Sequence, residues 1–107
     1  MAGLLDKLGI AANVKPKAKL IPGGADAQHI ANGEAEHGIH QISEILPVKG
    51  VTLVGPLPAE IQNYTVYAAG LGAQAKDGDA AKALLKTLTS PAAAEVLKSK
   101  GMEPAGS

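Results

Sequence analysis

Gly50-Val51-Thr52-Leu53-Val54-Gly55 decides the reading of the fold. β-Branched and aliphatic residues run together between two glycines, and such residues fit a pleated, packed surface. Val51 to Val54 is apolar on both faces, as in a strand covered from both sides. Immediately after it, Pro56-Leu57-Pro58 enforces an extended connection, because a residue before proline is pushed out of the helical region. Tyr64 to Leu71, rich in Tyr, Val and Thr, reads as the next strand.

Upstream, Glu36 to Ser43 also reads as a strand. His37, Ile39, Gln41 and Ser43 point one way, and Gly38, His40, Ile42 and Glu44 the other. Pro47 ends that stretch. Before it, Asp26 to Glu34 reads as a helix with Ala27, Ile30 and Ala31 on one face and Gly33 near its end. Lys19-Leu20-Ile21 is a short strand closed by Pro22-Gly23-Gly24. At the N-terminus, Leu4, Leu5, Leu8 and Ile10 make a helical stripe that stops around Gly9, and Pro16 keeps helix from resuming.

Downstream the chain reads as helical. Asp77 is the N-cap of a helix whose apolar stripe is Ala80, Ala81, Leu84, Leu85 and Leu88, with Lys82 and Lys86 on the wet face. Ser90-Pro91 restarts the chain, Ser as N-cap and Pro at the first helical position. The helix from Ala92 to Lys100 turns Val96 and Leu97 inward and ends at Gly101 as a C′ residue. The leucine stripe is expected to pack on the strand Tyr64 to Leu71. The order α-β-α-β-β-β-α-α predicts an α/β protein with a mixed sheet and flanking helices.

With 107 residues the chain is one domain at most. Its ten cationic side chains are all Lys, balanced by ten carboxylates. A net charge of zero without a basic surface argues against nucleic-acid binding. Cysteine is absent, which excludes a disulfide scaffold and a thiol nucleophile. Tyr64 and Tyr67 are its whole aromatic content, so the core is aliphatic. No apolar run reaches the roughly twenty residues of a membrane span, so no membrane insertion is expected. The opening residues Met1 to Asp6 lack the basic and apolar regions of a signal peptide, which reads as cytoplasmic for the chain as written.

Few residues point to chemistry. His37 and His40 lie three apart on a strand and face opposite sides, so one ion cannot take both. His29 on the preceding helix can approach either, but nothing in the pattern specifies three ligands. The histidines read as partly exposed, hydrogen-bonded side chains, and no metal or cofactor is expected. Ser43 lacks the G-x-S-x-G context of a hydrolase elbow, and the carboxylates are scattered. The most suggestive feature is Pro22-Gly23-Gly24-Ala25-Asp26, a glycine turn entering a helix, where free N–H groups meet an anion. Asp26 works against that, because as N-cap it satisfies the same N–H groups and its charge repels an anion.

Five stretches together resemble a known family. These are Gly33-Glu34-Ala35-Glu36-His37-Gly38-Ile39-His40-Gln41-Ile42-Ser43-Glu44, then Val54-Gly55-Pro56-Leu57-Pro58-Ala59-Glu60-Ile61-Gln62, then Tyr64-Thr65-Val66-Tyr67-Ala68-Ala69, then Asp79 to Leu85 continuing to Ser90-Pro91, and finally Lys100-Gly101-Met102-Glu103-Pro104. In this order and spacing they are similar to the C-terminal half of periplasmic solute-binding proteins of the molybdate-binding type. The resemblance implies part of a type II periplasmic-binding fold, completed by dimerisation or by exchange of a strand and helices. Residues 1–55 would be the remnant of the second lobe, 56–63 a hinge-like crossover, and 64–107 a strand and two helices of the first lobe. It implies a binding component of an ABC importer rather than an enzyme, periplasmic at full length, closing over a molybdate-like oxyanion and presenting it to a permease. The implied ligand contacts are Gly24, Ala25, Asp26 and Gln41. In molybdate binders the Gln41 position is commonly a Tyr whose hydroxyl meets the oxyanion. The alternative is a self-associating structural fragment with no competent site. On either reading a homodimer is expected, because half of a two-lobed fold leaves strand edges and apolar faces open.

Overall fold

No strand forms among the described residues, which are 2–24 and 26–105 of a computed structural model, with the backbone alone for Ala2. The expected α/β mixed sheet is therefore corrected to an arrangement of short helices joined by irregular chain. The helices are α1 (Ala2–Lys7), α2 (Ala11–Val14), α3 (Asp26–Ala31), α4 (Ile42–Ile45), α5 (Gly78–Leu88) and α6 (Pro91–Ser99), with 3₁₀ turns at Lys15–Lys17 and Ala59–Ile61.

The reason lies in what a strand requires. A strand exists only when its N–H and C=O groups pair with a neighbour. Val51–Val54 and Tyr64–Leu71 take no regular secondary structure, and among the described residues no backbone hydrogen bond joins either of them to another segment. Lys19–Ile21 is likewise unpaired. The stretch read as Glu36 to Ser43 divides, without regular structure as far as Gln41, itself extended (φ −64°, ψ 138°), and helical from Ile42.

The helix signals fare better because they act within one turn. Asp77 accepts from Ala80 N–H at 3.2 Å, and Ser90 Oγ accepts from Ala93 N–H at 3.2 Å, with Pro91 at the start of α6. At the end of α6, Met102 N–H donates to Leu97 O at 2.9 Å and Gly101 N–H to Lys98 O at 3.0 Å. That pattern needs a left-handed residue, and Gly101 supplies it at φ 79°. Gly33 closes α3 in the same way, also at φ 79°. Near the N-terminus helix does resume after Gly9, as α2 and then the 3₁₀ turn. Pro16 sits early in that turn, where its missing N–H is harmless.

Packing is local and thin. α1 packs on α2, and Lys15 Nζ meets Asp6 Oδ1 at 3.0 Å. α3 packs on α4, and α5 on α6. Of the described residues, only Leu5 and Ala27 are buried. Leu84 and Leu88, expected inward, are exposed, as is Val96; Ala81, Leu85 and Leu97 are half-buried. The contact expected between the leucine stripe and Tyr64–Leu71 is thus replaced by the α5–α6 hairpin. Longer ties are few. Lys7 Nζ donates to Glu60 O at 2.8 Å. Gly101 lies against Ile42 and Leu46, so the end of α6 docks on α4.

The outcome is an elongated molecule of 53 × 29 × 26 Å with a radius of gyration of 17.9 Å. A compact domain of this length has about 13 Å. The accessible surface is 8660 Å², where a compact monomer of this mass exposes about 5,500 Å². No helix among the described residues is long and apolar enough to cross a membrane.

Candidate functional site

Gln41 is the sequence-derived site residue with the most developed surroundings. It ends the irregular stretch before α4, and its side chain reaches the segment beyond the crossover. Gln41 Nε2 donates to Thr65 Oγ1 at 3.1 Å, and Tyr67 OH donates to Gln41 Oε1 at 3.0 Å. Thr65 and Tyr67 are two apart in sequence, and both turn their side chains to Gln41. This arrangement leaves donors in hand. Gln41 keeps its second amide hydrogen and Thr65 keeps its hydroxyl hydrogen.

Asp26 lies elsewhere than expected. It is the first residue of α3, and its Oδ2 is 3.5 Å from His40 Nδ1. Its Oδ1 is shielded from solvent and has no hydrogen-bond partner, as is also true of His40 Nε2. Asp26 therefore does not cap the helix with its side chain as the sequence suggested; it faces the imidazole. Gly24 stays in the exposed turn at φ 91°, accepting from Asp26 N–H at 3.0 Å. Ala25 lies outside the described residues.

The three histidines have separate surroundings. His29 Nδ1 lies 2.8 Å from Glu34 Oε2, which also accepts from Lys19 Nζ at 2.8 Å. The hydrogen bond from Lys19, then that from His29, lowers the Glu34 carboxyl from 4.5 to about 2. His40 faces Asp26, and His37 is exposed. Among the described residues no three His, Cys, Asp or Glu side chains gather as metal ligands. A separate open cleft of about 290 Å³ lies between α4 and the end of α6, lined by Ser43, Leu46, Pro47, Ser99 and Lys100.

The structure thus joins Gln41 to Thr65 and Tyr67, and Asp26 to His40. Sequence reasoning left out Thr65, Tyr67 and His40. Tyr67 carried a signal, as one of two aromatics. His40 was read as a partly exposed, hydrogen-bonded side chain without a named partner, and its carboxylate partner is fourteen residues away in sequence, beyond any local pattern.

Residues 1–103 match the family described as bacterial extracellular solute-binding protein. A protein of Pseudomonas sp. named aconitate isomerase is 32% identical over 101 residues, covering 94% of this chain and 38% of that protein. The chain therefore spans well under half the length of that relative. No solved structure matches. The enzyme name of that relative corrects the expectation of a binding module that is not an enzyme. With its match running over nearly the whole chain, this sequence belongs to the bacterial extracellular solute-binding protein family.

Proposed function

We propose that the chain is the C-terminal portion of a larger two-lobed protein and forms one wall of a cleft for a small anion bearing several oxygens, a polycarboxylate in the first place. In this reading residues 1–55 belong to one lobe, 56–63 cross over, and 64–107 belong to the other. The observation that carries it is the bridge of Gln41 to Thr65 and Tyr67, which joins the first unit to the last. A side chain from each lobe meeting at one point is what a cleft between lobes requires, and closure around a hinge brings such walls together.

The wall offers neutral donors. The chain has no Arg to clamp a carboxylate in two places. The free amide hydrogen of Gln41 and the hydroxyl hydrogen of Thr65 present two donors to one anion. The relative's name supports a tricarboxylate. An isomerising activity also needs a group that takes and returns a proton, and His40 beside Asp26 is the titratable side chain next in the chain to Gln41. A second reading keeps the importer role with a molybdate-like oxyanion and a permease partner outside the cytoplasm. It is favoured by the tyrosine hydroxyl, which molybdate binders supply from the Gln41 position and which Tyr67 here brings to Gln41 at 3.0 Å.

Titration of the ¹⁵N-labelled chain with trans-aconitate, molybdate and sulfate separates the readings. The expected result is movement of the Gln41 side-chain amide signals with trans-aconitate. Affinity should be weaker than micromolar, that is under about 8 kcal/mol, because one wall alone leaves the ligand partly hydrated. Gln41→Ala should abolish the response of Thr65. A response to molybdate alone selects the second reading, and no response at Gln41 or Thr65 with any anion rejects both.

A further inference from the structure

We propose that Tyr67 is a positioning residue that sets the specificity of the Gln41 wall. By donating to Gln41 Oε1 it fixes which way round the amide sits, so that the wall offers hydrogens and selects an ionised carboxylate over a carboxamide of the same shape. This rests on the polycarboxylate reading of the same site.

The backbone of Gln41 is already committed. Its carbonyl accepts from Glu44 N–H at 3.0 Å and from Ile45 N–H at 3.1 Å as α4 begins. What remains to be set is the amide at the tip of the side chain. Its two ends have nearly the same shape and opposite chemistry, one accepting and the other donating. Thr65 alone does not decide between them, because a hydroxyl takes either role. Tyr67 does. A phenol is a stronger donor and a weaker acceptor than an aliphatic alcohol, because its oxygen shares a lone pair with the ring. Of the two hydroxyls beside Gln41, the phenol therefore donates and the aliphatic one accepts. That is the arrangement found, with Tyr67 OH donating to Gln41 Oε1 at 3.0 Å and Gln41 Nε2 to Thr65 Oγ1 at 3.1 Å.

The bonds run in one direction. Tyr67 gives its hydrogen to Gln41, and Gln41 gives one of its two to Thr65. Gln41 and Thr65 are each left with one hydrogen. The hydrogen of Tyr67 is spent, so Tyr67 acts on a ligand through Gln41. From position 61 to 75 the chain carries no ionised side chain, so this part of the wall reads a ligand by donors rather than by a counter-charge. A carboxylate presents only acceptors and satisfies both hydrogens. A carboxamide sets its own hydrogens against one of them, and donors left facing each other count against the wrong ligand. Without the phenol hydrogen, the amide is free to turn and offer Oε1 to such a ligand.

The test compares the wild type with Tyr67→Phe. The substitution changes no charge, and the side chain is 66% exposed, so the fold is retained. NMR titration of each protein with trans-aconitate and with its triamide gives a ratio of affinities, in which the charge of the ligand is common to both proteins and cancels. That ratio should fall about tenfold or more in Tyr67→Phe, the size of one hydrogen bond to a charged group. A merely structural loss weakens both ligands alike, and an unchanged ratio overturns the proposal. A second readout needs no ligand. The ¹³C signal of the Gln41 side-chain carbonyl should move upfield in Tyr67→Phe as the phenol hydrogen is lost, and a signal that stays in place overturns the proposal whatever the ligands do. If that signal moves while trans-aconitate leaves Gln41 and Thr65 of the wild type undisturbed, the polycarboxylate reading itself has failed, and the selectivity is overturned with it.

Discussion

Gly101→Ala tests whether the end of α6 rests on α4. Two costs add at this position. Gly101 has φ 79°, where a Cβ meets its own backbone at about 1–2 kcal/mol. The new Cβ would also fall 2.5 Å from Ile42 Cγ2 and 2.9 Å from Leu46 Cδ1. Ile42 is β-branched and stiff at χ1, so its Cγ2 cannot swing aside as the far end of a long side chain can. Overpacking of this kind costs about 1–3 kcal/mol. Against these stands the reduced freedom of the unfolded chain, about 0.4–1 kcal/mol in favour of alanine. The net expectation is a loss of about 2–4 kcal/mol. Gly33→Ala provides the internal reference, because Gly33 has the same φ but open space around it. It should cost only the backbone strain, about 1 kcal/mol after the same offset. Urea unfolding followed by far-UV circular dichroism measures both. Combining Gly101→Ala with Ile42→Ala should recover part of the loss, since the two side chains share one contact. If Gly101→Ala costs no more than Gly33→Ala, the docking of α6 on α4 is refuted.

Other expectations can be read in the same unfolding assay or by titration. Ser90→Ala removes the oxygen that accepts from Ala93 N–H and should cost about 1 kcal/mol; an unchanged midpoint would show that α6 starts without its cap. Leu84→Ala, at an exposed position, should stay within about 0.5 kcal/mol, while Leu85→Ala, half-buried on the same helix, should cost more. A reversed order would put the other face of α5 inward. Glu34 should titrate with a midpoint about 2 in carbon-detected NMR, against an ordinary 4.5. Because its folded value is the lower one, its contribution is present above the ordinary value and is lost as pH falls through about 2. Lys19→Gln should move the midpoint upward, and a wild-type midpoint near 4.5 would remove the Lys19 hydrogen bond from the structure.

The Glu34 cluster and the caps show how far local chemistry carries. Asp77, Ser90-Pro91, Gly33 and Gly101 marked helix ends that the structure contains, because a cap bonds to N–H or C=O groups within the same turn. The strands read at 51–54 and 64–71 are absent, and Pro58 alone of Pro56-Leu57-Pro58 is shown in the extended region its ring favours (φ −53°, ψ 146°). Membership of the solute-binding protein family was legible too, because it rests on the order of short motifs, whereas the molybdate-binding type read from them is not what the family match shows. The sheet was a different matter. Propensity favours an extended segment, and only a neighbour turns it into a strand; among the described residues no backbone hydrogen bond joins Val51–Val54 or Tyr64–Leu71 to another segment. Periodicity likewise states which residues share a face and not what the face meets, so Leu84 and Val96 could be grouped correctly with their stripes and still lie outward. The candidate site depends wholly on such distant meetings. Gln41 finds Thr65 and Tyr67 across the crossover, and Asp26 finds His40 across a turn and an irregular stretch. Sequence alone determined the local conformations, whose causes lie within a few residues; tertiary structure decided the contacts, because those depend on where separate segments come together in space.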